Sequence, residues 1–295
     1  MAQLLCIGDL NADVTVGAGD QIAPGSDTQG VVALAAGGSA ANVAAGAAAA
    51  GVATRFVGVV GDDLLGRLLV DELAGHGVEV RPIVRRGAAS RAIAALISST
   101  GERSMVSDLS SATVLRVSDV DPQWFEGVDW LHLTAYSWFP DGGDDLLARL
   151  CGLAHERGIG WSIDPSSAQM LRASRSVQAA LTAFDRAAVM FPSLDEAAAL
   201  SGVDDPTESA TRLLDVAETV VVTCGADGAV VASRFRPPFA VAAIDVGVDV
   251  VNTLGAGDAF AAGFIAARLA GSTDEACASS GLRAAAAAVA RPTAR

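Results

Sequence analysis

The most informative absence in this sequence is that of lysine, since all 20 basic residues are arginines. Walker-type P-loops, the phosphate-binding strand of protein kinases and Schiff-base enzymes all need a lysine amine, so these three mechanisms are excluded. Against 34 acidic residues, the arginines leave a net charge of −14. This excess of negative charge disfavours nucleic acid and anionic membranes as partners, but a local site for a small anion is compatible with it.

Cysteine and histidine are scarce as well, with four and three residues in the whole chain. Neither type shows the close spacing of a metal site, and we interpret the thiols as buried side chains in a reducing compartment. The N-terminus has no basic and apolar signal segment, and an Ala-rich run at 40–50 is too short to span a bilayer. We therefore expect a soluble, cytoplasmic protein without a membrane partner.

Short apolar runs of β-forming residues alternate with Ala- and Leu-rich helical patterns along most of the chain. Continuous apolar strands separated by helices are typical of a parallel sheet that is covered on both faces. No boundary splits the chain, so we expect a single α/β domain over residues 1–295. The predicted strands are Leu4–Gly8, Thr54–Val60, Trp130–Thr134, Gly160–Asp164, Ala187–Phe191 and Thr219–Thr223, and the predicted helices are Ala40–Gly51, Asp63–His76, Gly143–Arg157, Leu194–Ser201, Ser209–Val216 and Asp258–Ala270.

Two segments, residues 12–35 and 83–116, interrupt this rhythm. They have little helical periodicity and contain alternating β-type runs, such as those at 93–98 and 103–106. The pattern favours a small separate sheet added to the main domain, with ordinary surface hairpins as the alternative, because alternation over five or six residues is weak evidence.

The motif at residues 252–263, Asn-Thr-Leu-Gly-Ala-Gly-Asp-Ala-Phe-Ala-Ala-Gly, indicates a site for anions. Gly255 and Gly257 permit backbone conformations that turn consecutive N–H groups toward one point, at the positive end of the helix that follows. Asp258 lies beside this pocket, where a carboxylate can accept a proton from an attacking hydroxyl. The combination predicts phosphoryl transfer, and the alternative for Asp258 is a helix N-cap or first-turn acid.

A second group of residues is suited to a polar ligand. Gly37 and Gly38 allow close backbone approach, and Asn42 offers a donor and an acceptor from the first turn of a helix. Asn11 and Asp13 follow the first predicted strand, and ligands of open α/β sheets bind at the carboxyl ends of strands. We predict that these side chains hold sugar hydroxyls, with a capped helix and a polar turn as the structural alternatives.

Taken together, these segments resemble the ribokinase family of carbohydrate kinases, also called the PfkB family, over essentially the whole chain. The resemblance also rests on Phe-Val-Gly-Val-Val-Gly-Asp-Asp at 56–63 and Val-Thr-Cys-Gly-Ala-Asp-Gly at 222–228. It implies a Rossmann-like, three-layer α/β/α domain with a small β-sheet lid, formed by residues 12–35 and 83–116. It also implies transfer of the γ-phosphate of MgATP to a primary hydroxyl of a small sugar.

The resemblance assigns roles to individual residues. Asp258 matches the catalytic base, and Gly255, Ala256 and Gly257 match the anion hole. Asp13, Gly38 and Asn42 match substrate contacts. The loop that approaches the nucleotide is matched by Thr223, Gly225 and Gly228.

Two departures from the family pattern concern metal ions. The Asn-x-x-Glu motif becomes Ser193-Leu194-Asp195-Glu196, which keeps Glu196 for Mg²⁺ through water and leaves Ser193 to meet a phosphate or water. Asn252 replaces an Asp that often helps to hold a monovalent cation, and Leu254 replaces a frequent hydroxyl residue. Asn252 keeps an oxygen near the nucleotide, but the lost charge weakens the expectation of activation by K⁺.

The acceptor is less well defined by the sequence. Arg103, with Arg91 nearby, is placed to meet a carboxylate or phosphate, or is a solvated strand residue. The aromatic residues Trp130, Tyr136, Trp138 and Phe139 could stack a purine or belong to the core. A free sugar is the first expectation and a nucleoside the second. A non-catalytic sensor on the same fold and a dinucleotide oxidoreductase are the further alternatives, and the family resemblance makes a homodimer through the lid plausible.

Overall fold

A computed structural model describes residues 2–17, 22–97, 103–107, 113–174, 177–244, 247 and 253–290, and every structural statement below refers to these residues. Their strands are β1 (Gln3–Ile7), β2 (Asn11–Gly17), β3 (Val31–Gly37), β4 (Ala53–Gly61), β5 (Glu79–Arg85), β6 (Ala92–Ile97), β7 (Arg103–Ser107), β8 (Trp130–Thr134), β9 (Gly160–Asp164), β10 (Ala187–Met190), β11 (Ala217–Thr223), β12 (Ala229–Ser233) and β13 (Arg236–Val241). Their helices are α1 (Ser39–Ala49), α2 (Leu64–Gly75), α3 (Gly143–Glu156), α4 (Ala168–Ser174), α5 (Val177–Ala183), α6 (Leu194–Ser201), α7 (Pro206–Leu213), α8 (Ala256–Leu269) and α9 (Asp274–Val289).

Nine strands form the large sheet in the order β13-β12-β11-β10-β9-β8-β1-β4-β5. All neighbours from β11 to β5 pair in parallel, and β12 and β13 add an antiparallel edge. The six predicted strands all belong to the parallel part, so the predicted parallel sheet is confirmed. Its apolar strands have no polar face because both faces are buried.

Helices cover both faces of the large sheet, which gives the predicted three-layer α/β/α architecture. In β1, Leu5 and Ile7 join a core with the buried side chains of α3, α6 and α7. Leu4 and Cys6 point to the other face and join a core with α1, α2, α8 and α9. A strand whose alternate side chains enter two separate cores must lie in the middle layer.

The second sheet has four strands in the order β3-β2-β6-β7. It begins at Asn11, only a few residues after β1 ends at Ile7, so it lies over the carboxyl edge of the large sheet. Its strands come from the two segments that interrupt the helical rhythm, although residues 83–85 instead complete β5 in the large sheet. Its action as a lid stays a prediction.

Capping explains where α7 begins. The sequence predicts a helix from Ser209, but α7 starts at Pro206, because the Asp205 side chain accepts the N–H of Glu208 at 2.7 Å. Proline at the first helical position has no N–H to leave unpaired. In the described ranges, no helix has the length and apolar character needed to cross a bilayer.

Candidate active site

A cleft of about 650 Å³ lies between the carboxyl edge of the large sheet and the small sheet. It is lined by residues from both ends of the chain, which the parallel sheet brings to one edge. Ten of the predicted site residues line this cleft, namely Asn11, Asp13, Gly38, Asn42, Ser193, Glu196, Thr223, Gly255, Gly257 and Asp258.

The other predicted site residues are placed differently. Gly37 is buried at the end of β3, Ala256 is the first residue of α8, and a short turn after β11 begins at Gly225 and is followed by Gly228. A Cβ on Gly228 would lie 2.1 Å from the carbonyl oxygen of Val241, so this turn requires glycine. Asn252 lies outside the described residues.

Arg103 is described only through its backbone. It begins β7 and pairs with Ile97, at the far end of β6 from the residues that line the cleft. The six-residue step between Arg91 and Ile97 corresponds to about 20 Å along the strand. The Arg103 side chain lies outside the described part of the structure.

Asp258 lies in the first turn of α8, and both its carboxylate oxygens accept hydrogen bonds from α1. Ser39 Oγ donates to Oδ1 at 2.6 Å, and Asn42 Nδ2 donates to Oδ2 at 2.8 Å. Burial raises the pKa of Asp258 to about 6, against the effect of these two hydrogen bonds, and the charges of Asp9 and Asp13 add to the increase. Gly255, not Asp258, occupies the N-cap, so the N-cap form of the structural alternative is wrong, whereas Asp258 does lie where a first-turn acid would.

The N-terminus of α8 opens into the cleft beside this carboxylate. Gly255 has a φ of 76°, in the left-handed region that favours glycine. A Cβ built on Gly257 would meet nothing within 4 Å, so there is space above this turn. The N–H of Ala256 donates to the carbonyl oxygen of Thr253 at 3.3 Å. The N–H groups that follow it in the first turn lack intrahelical partners and carry the positive end of the helix dipole, which makes this end suitable for an anion.

Sequence reasoning missed Ser39 and Asp9, which hold α1 against this site. Asp9 accepts the N–H groups of Ser39 at 2.8 Å and Ala40 at 3.2 Å, and so caps α1. Gly38 makes this approach possible, since its φ is 108° and a Cβ would lie 2.4 Å from the carbonyl oxygen of Asp9. The only signal in the sequence was the position of Asp9 directly after a strand.

Ser193 and Glu196 form a capping box at the start of α6. Ser193 N–H donates to Glu196 Oε2 at 2.9 Å, and Glu196 N–H donates to Ser193 Oγ at 3.4 Å. Ser193 also pairs with Thr223 through an isolated β-bridge, which brings two predicted nucleotide residues together. Burial raises the pKa of Glu196, although the hydrogen bonds from Ser193 oppose this shift.

Asp164 is a further cleft residue that sequence reasoning did not single out. It ends β9, and its Oδ1 accepts the N–H of Ser166 at 2.7 Å. Burial raises its pKa well above the usual range, and the charges of Glu196 and Asp258 raise it further. The predicted strand ended at this residue, but nothing in the pattern showed that it would face two other carboxylates.

The aromatic residues near β8 mostly belong to the core. Trp130, Trp138 and Phe139 are buried, so the structure favours the packing alternative over a stacking surface for these three. Tyr136 is the exception, because it lines the cleft and its hydroxyl donates to the carbonyl oxygen of Ser166 at 3.3 Å.

Comparisons with known proteins agree with this geometry. The sequence model of the pfkB family carbohydrate kinases matches residues 1–295. An ATP-dependent ribose-1-phosphate kinase of Halopiger xanaduensis is 32% identical over 274 residues, which cover 90% of this chain and 84% of that protein. The adenosine kinase from Sinorhizobium meliloti has a similar structure, with a TM-score of 0.89 and 25% identity, covering 100% of this chain and 95% of the other.

A putative ribokinase II from E. coli, in complex with ATP and Mg²⁺, shares the fold with a TM-score of 0.85 and 23% identity. That match covers 99% of this chain and 94% of the other. Together with the ordered motifs and the cleft at the carboxyl edge, these findings show that the chain belongs to the pfkB family of carbohydrate kinases and is a phosphotransferase.

Proposed function

We propose that this kinase transfers the γ-phosphate of ATP to a primary hydroxyl of a small sugar, with Asp258 as the catalytic base. The observation that carries the proposal is the environment of the Asp258 carboxylate. It lies at the open N-terminus of α8, is held at both oxygens by α1, and has a pKa raised to about 6 by burial. A base of this strength is mostly ionised at neutral pH and still accepts a proton readily.

The acceptor hydroxyl would bind between Asp258 and the small sheet. A carboxylate has about four acceptor positions, so sites remain beside the hydrogen bonds from Ser39 and Asn42. Asp258 takes the proton of the hydroxyl as the hydroxyl oxygen bonds to the γ-phosphorus, and the bond from that phosphorus to the β,γ-bridging oxygen breaks to release ADP. The amides of Gly255, Ala256 and Gly257 stabilise the charge on the transferring oxygens. Asn11, Asp13, Gly37, Gly38 and Asn42 surround the remaining sugar hydroxyls through their side chains or close backbone.

For the nucleotide, we propose contacts with Ser193, Thr223, Gly225, Gly228 and Asn252. Bound Mg²⁺ would neutralise phosphate charge during transfer. We propose that Glu196 would hold Mg²⁺ through a water molecule. Asp164 offers a second carboxylate in the same cleft. Within the described ranges, no cluster of three or more side chains could enclose a metal, which fits an ion held largely by water and phosphates.

Potassium is left out of this proposal. Leu254 lines the cleft next to the proposed anion hole, and its side chain has no oxygen to offer a monovalent cation. Addition of K⁺ should therefore leave the rate almost unchanged.

We propose that the small sheet acts as a lid within a single domain of residues 1–295. It contributes Asn11, Asp13 and Ile93 to the cleft, so its movement would open or close the acceptor site.

Strand β3 of the small sheet exposes the apolar side chains of Val31, Val32 and Leu34 by 73%, 68% and 63%. Such an apolar edge suits a homodimer through the lid. Light scattering on the Val32→Asp variant should show a smaller mass than the parent; an unchanged monomeric mass for both proteins would refute the dimer.

The test of function is ADP release with MgATP and a panel of sugars, sugar phosphates, sugar acids and nucleosides. Nucleosides are included because of the similarity to an adenosine kinase structure. We expect turnover with a sugar and a loss of at least about 100-fold in Asp258→Asn. Asp71→Asn, an exposed acid on α2, is the matched control and should be fully active. A near-normal rate in Asp258→Asn would overturn the base, and ATP binding without ADP formation from any acceptor would favour a sensor.

A further inference from the structure

The motif Gly61-Asp62-Asp63, with Gly66 shortly after it, has no part in the proposed reaction, and its residues do not line the cleft. Gly61 ends β4 in the large sheet, and Asp63 is the N-cap of α2. The Oδ1 atom of Asp63 accepts the N–H of Gly66 at 2.7 Å, which is the usual bond of an N-cap. The same carboxylate accepts two more hydrogen bonds, and both come from outside the helix. Capping alone therefore does not explain Asp63.

Both of these further hydrogen bonds come from Ser90. Its backbone N–H donates to Asp63 Oδ2 at 2.8 Å, and its hydroxyl donates to Asp63 Oδ1 at 2.7 Å. The Ser90 hydroxyl oxygen also accepts the N–H of Gly61 at 3.0 Å, and Ser90 is buried. Hydrogen bonds to a carboxylate are charge-assisted and stronger than those between neutral groups. Ser90 is therefore held against the large sheet by the end of β4 and by the start of α2.

The two glycines of the motif leave the space that the Ser90 segment occupies. A Cβ on Gly61 would lie 2.2 Å from the carbonyl oxygen of Ala88 and 2.7 Å from the backbone nitrogen of Ser90. A Cβ on Gly66 would lie 2.6 Å from Ser90 Oγ. A larger residue at either position would displace residues 88–90 from the large sheet. The glycines and the acid of the motif are thus all required for the same contact.

Ser90 lies where the chain passes from one sheet to the other. Residues 86–91 connect β5, at the edge of the large sheet, with β6 in the small sheet. Ile93, the second residue of β6, pairs with Asp13 of β2, and both line the cleft. Ile93 follows Ser90 by three residues, which span about 10 Å of extended chain. The position of Ser90 therefore determines where this wall of the cleft begins.

The need for an aspartate at the N-cap of α2 depends on Ser90. Serine and asparagine cap helices about as well as aspartate, since one oxygen is enough for a helix N–H. Only a carboxylate has two acceptor oxygens, so that Gly66 and both donors of Ser90 are satisfied together. Burial raises the pKa of Asp63, but the hydrogen bonds from Ser90 and Gly66 outweigh burial and lower the pKa below its usual value. The contact with Ser90 is therefore charge-assisted at neutral pH.

We propose that Asp63 is a positioning residue for the acceptor site, which acts through Ser90 to fix the point where β6 leaves the large sheet. The inference rests on the proposed function, because it assumes that the acceptor binds against the small sheet. With Ser90 fixed, Asp13 and Ile93 keep their place opposite Asp258. The acceptor hydroxyl is then held in line with the γ-phosphate, and a small displacement of this wall would slow the transfer.

The test is a variant that keeps the helix cap and loses the contact. Asp63→Ser caps α2 with its hydroxyl, but a serine has no second oxygen for the donors of Ser90. The kcat/KM for the acceptor should fall about 10- to 100-fold, with a higher KM for the acceptor. The KM for ATP should stay within about twofold, because the proposed nucleotide residues belong to other elements. ATP hydrolysis without transfer should increase relative to transfer, because a displaced small sheet admits water.

Two comparisons separate positioning from helix stability. Asp205→Ser makes the same change at the N-cap of α7, where Asp205 accepts the N–H of Glu208 at 2.7 Å, and should behave as the parent. Ser90→Ala leaves the cap of α2 intact and should change the same kinetic constants in the same direction as Asp63→Ser. The double variant should be no worse than the more affected single variant. Equal changes in the KM for ATP and the KM for the acceptor, or fully additive losses in the double variant, would overturn the proposal.

Hydrogen–deuterium exchange tests the inference without turnover. In Asp63→Ser and Ser90→Ala, the amides of β6 should exchange faster than in the parent, and those of α2 at about the rate of the parent. Exchange of β6 at the rate of the parent would overturn the inference, whether or not an acceptor is turned over. If the parent phosphorylates a sugar in an Asp258-dependent way and Asp63→Ser keeps the KM values of the parent, the proposed function stands and only this inference fails.

Discussion

Removal of the Ser39 hydroxyl should shift the pH dependence of kcat/KM but leave its maximum value at high pH almost unchanged. Ser39 Oγ donates to Asp258 Oδ1 at 2.6 Å, and this bond stabilises the ionised carboxylate. Without it, the pKa of Asp258 should increase from its value of about 6. A hydrogen bond to a charged group contributes about 1.5–3 kcal/mol in total, and we expect about half of this as the difference between the two protonation states, or roughly one pKa unit.

This shift has a definite signature in kcat/KM. The base must be ionised, so the acid limb of the profile should move from about pH 6 to about pH 7 in Ser39→Ala. The rate should fall about fivefold at pH 6, about twofold at pH 7 and hardly at all at pH 8.5. A coupled ADP-release assay from pH 5 to 9 measures this profile. Ser39→Thr, which keeps the hydroxyl, is the control and should retain the parent profile.

An equal fall of activity at every pH would refute this reasoning. It would mean that Ser39 orients Asp258 without tuning its proton affinity. An unchanged acid limb in both variants, with full activity, would mean that the 2.6 Å contact has no energetic role in the free enzyme.

Two further predictions concern stability and substrate affinity. Since the folded pKa of Asp258 is raised to about 6, the native state binds more protons than the unfolded chain between about pH 4 and 6, and stability falls as pH rises through this window. The free energy of unfolding of Asp258→Asn, measured by urea unfolding, should therefore exceed that of the parent by about 1–3 kcal/mol at pH 7 and by little at pH 4. A variant less stable than the parent at pH 7 would contradict this. In Gly37→Ala, the new Cβ would lie 2.2 Å from Asp13 Oδ2, so KM for the acceptor should rise at least about fivefold while KM for ATP stays constant. Gly75→Ala, where a Cβ meets nothing within 4 Å, is the control. If neither the KM for ATP nor the KM for the acceptor differs among the parent, Gly37→Ala and Gly75→Ala, the new Cβ does not displace Asp13.

Six of the seven inner strands of the large sheet could be predicted from the sequence, whereas the inner strand β12 and the two edge strands β5 and β13 were not predicted. The six predicted strands lie within the parallel part of the sheet, where burial on both faces demands apolar residues. β5 and β13 contain Pro82, Pro237 and Pro238 and alternate between exposed and half-buried residues. Proline is tolerated there because an edge strand has one unpaired side, yet it hides the strand from a pattern of propensities.

The site residues that could be predicted from the sequence are those whose backbone conformation requires a particular residue type. Gly38 and Gly255 have φ values of 108° and 76°, which few residues other than glycine adopt, so they appear in the sequence as motifs. Ser39 has no backbone conformation that would require a serine, so no motif in the sequence reveals it. Its role depends on the close packing of α1 on α8, where a Cβ on Gly46 would lie 2.8 Å from Ala262 Cβ. Contacts between helices more than 200 residues apart in the chain cannot be derived from local pattern.

The acidity of the cleft and the absence of lysine have a common electrostatic consequence, which is that few cationic side chains lie near Asp258. A site that receives phosphates would ordinarily gain from several cations, but here the N-terminus of α8 supplies positive potential without a side chain. Burial raises the pKa values of Asp164 and Asp258, and the neighbouring carboxylates raise them further, whereas a ring of lysines would have lowered them.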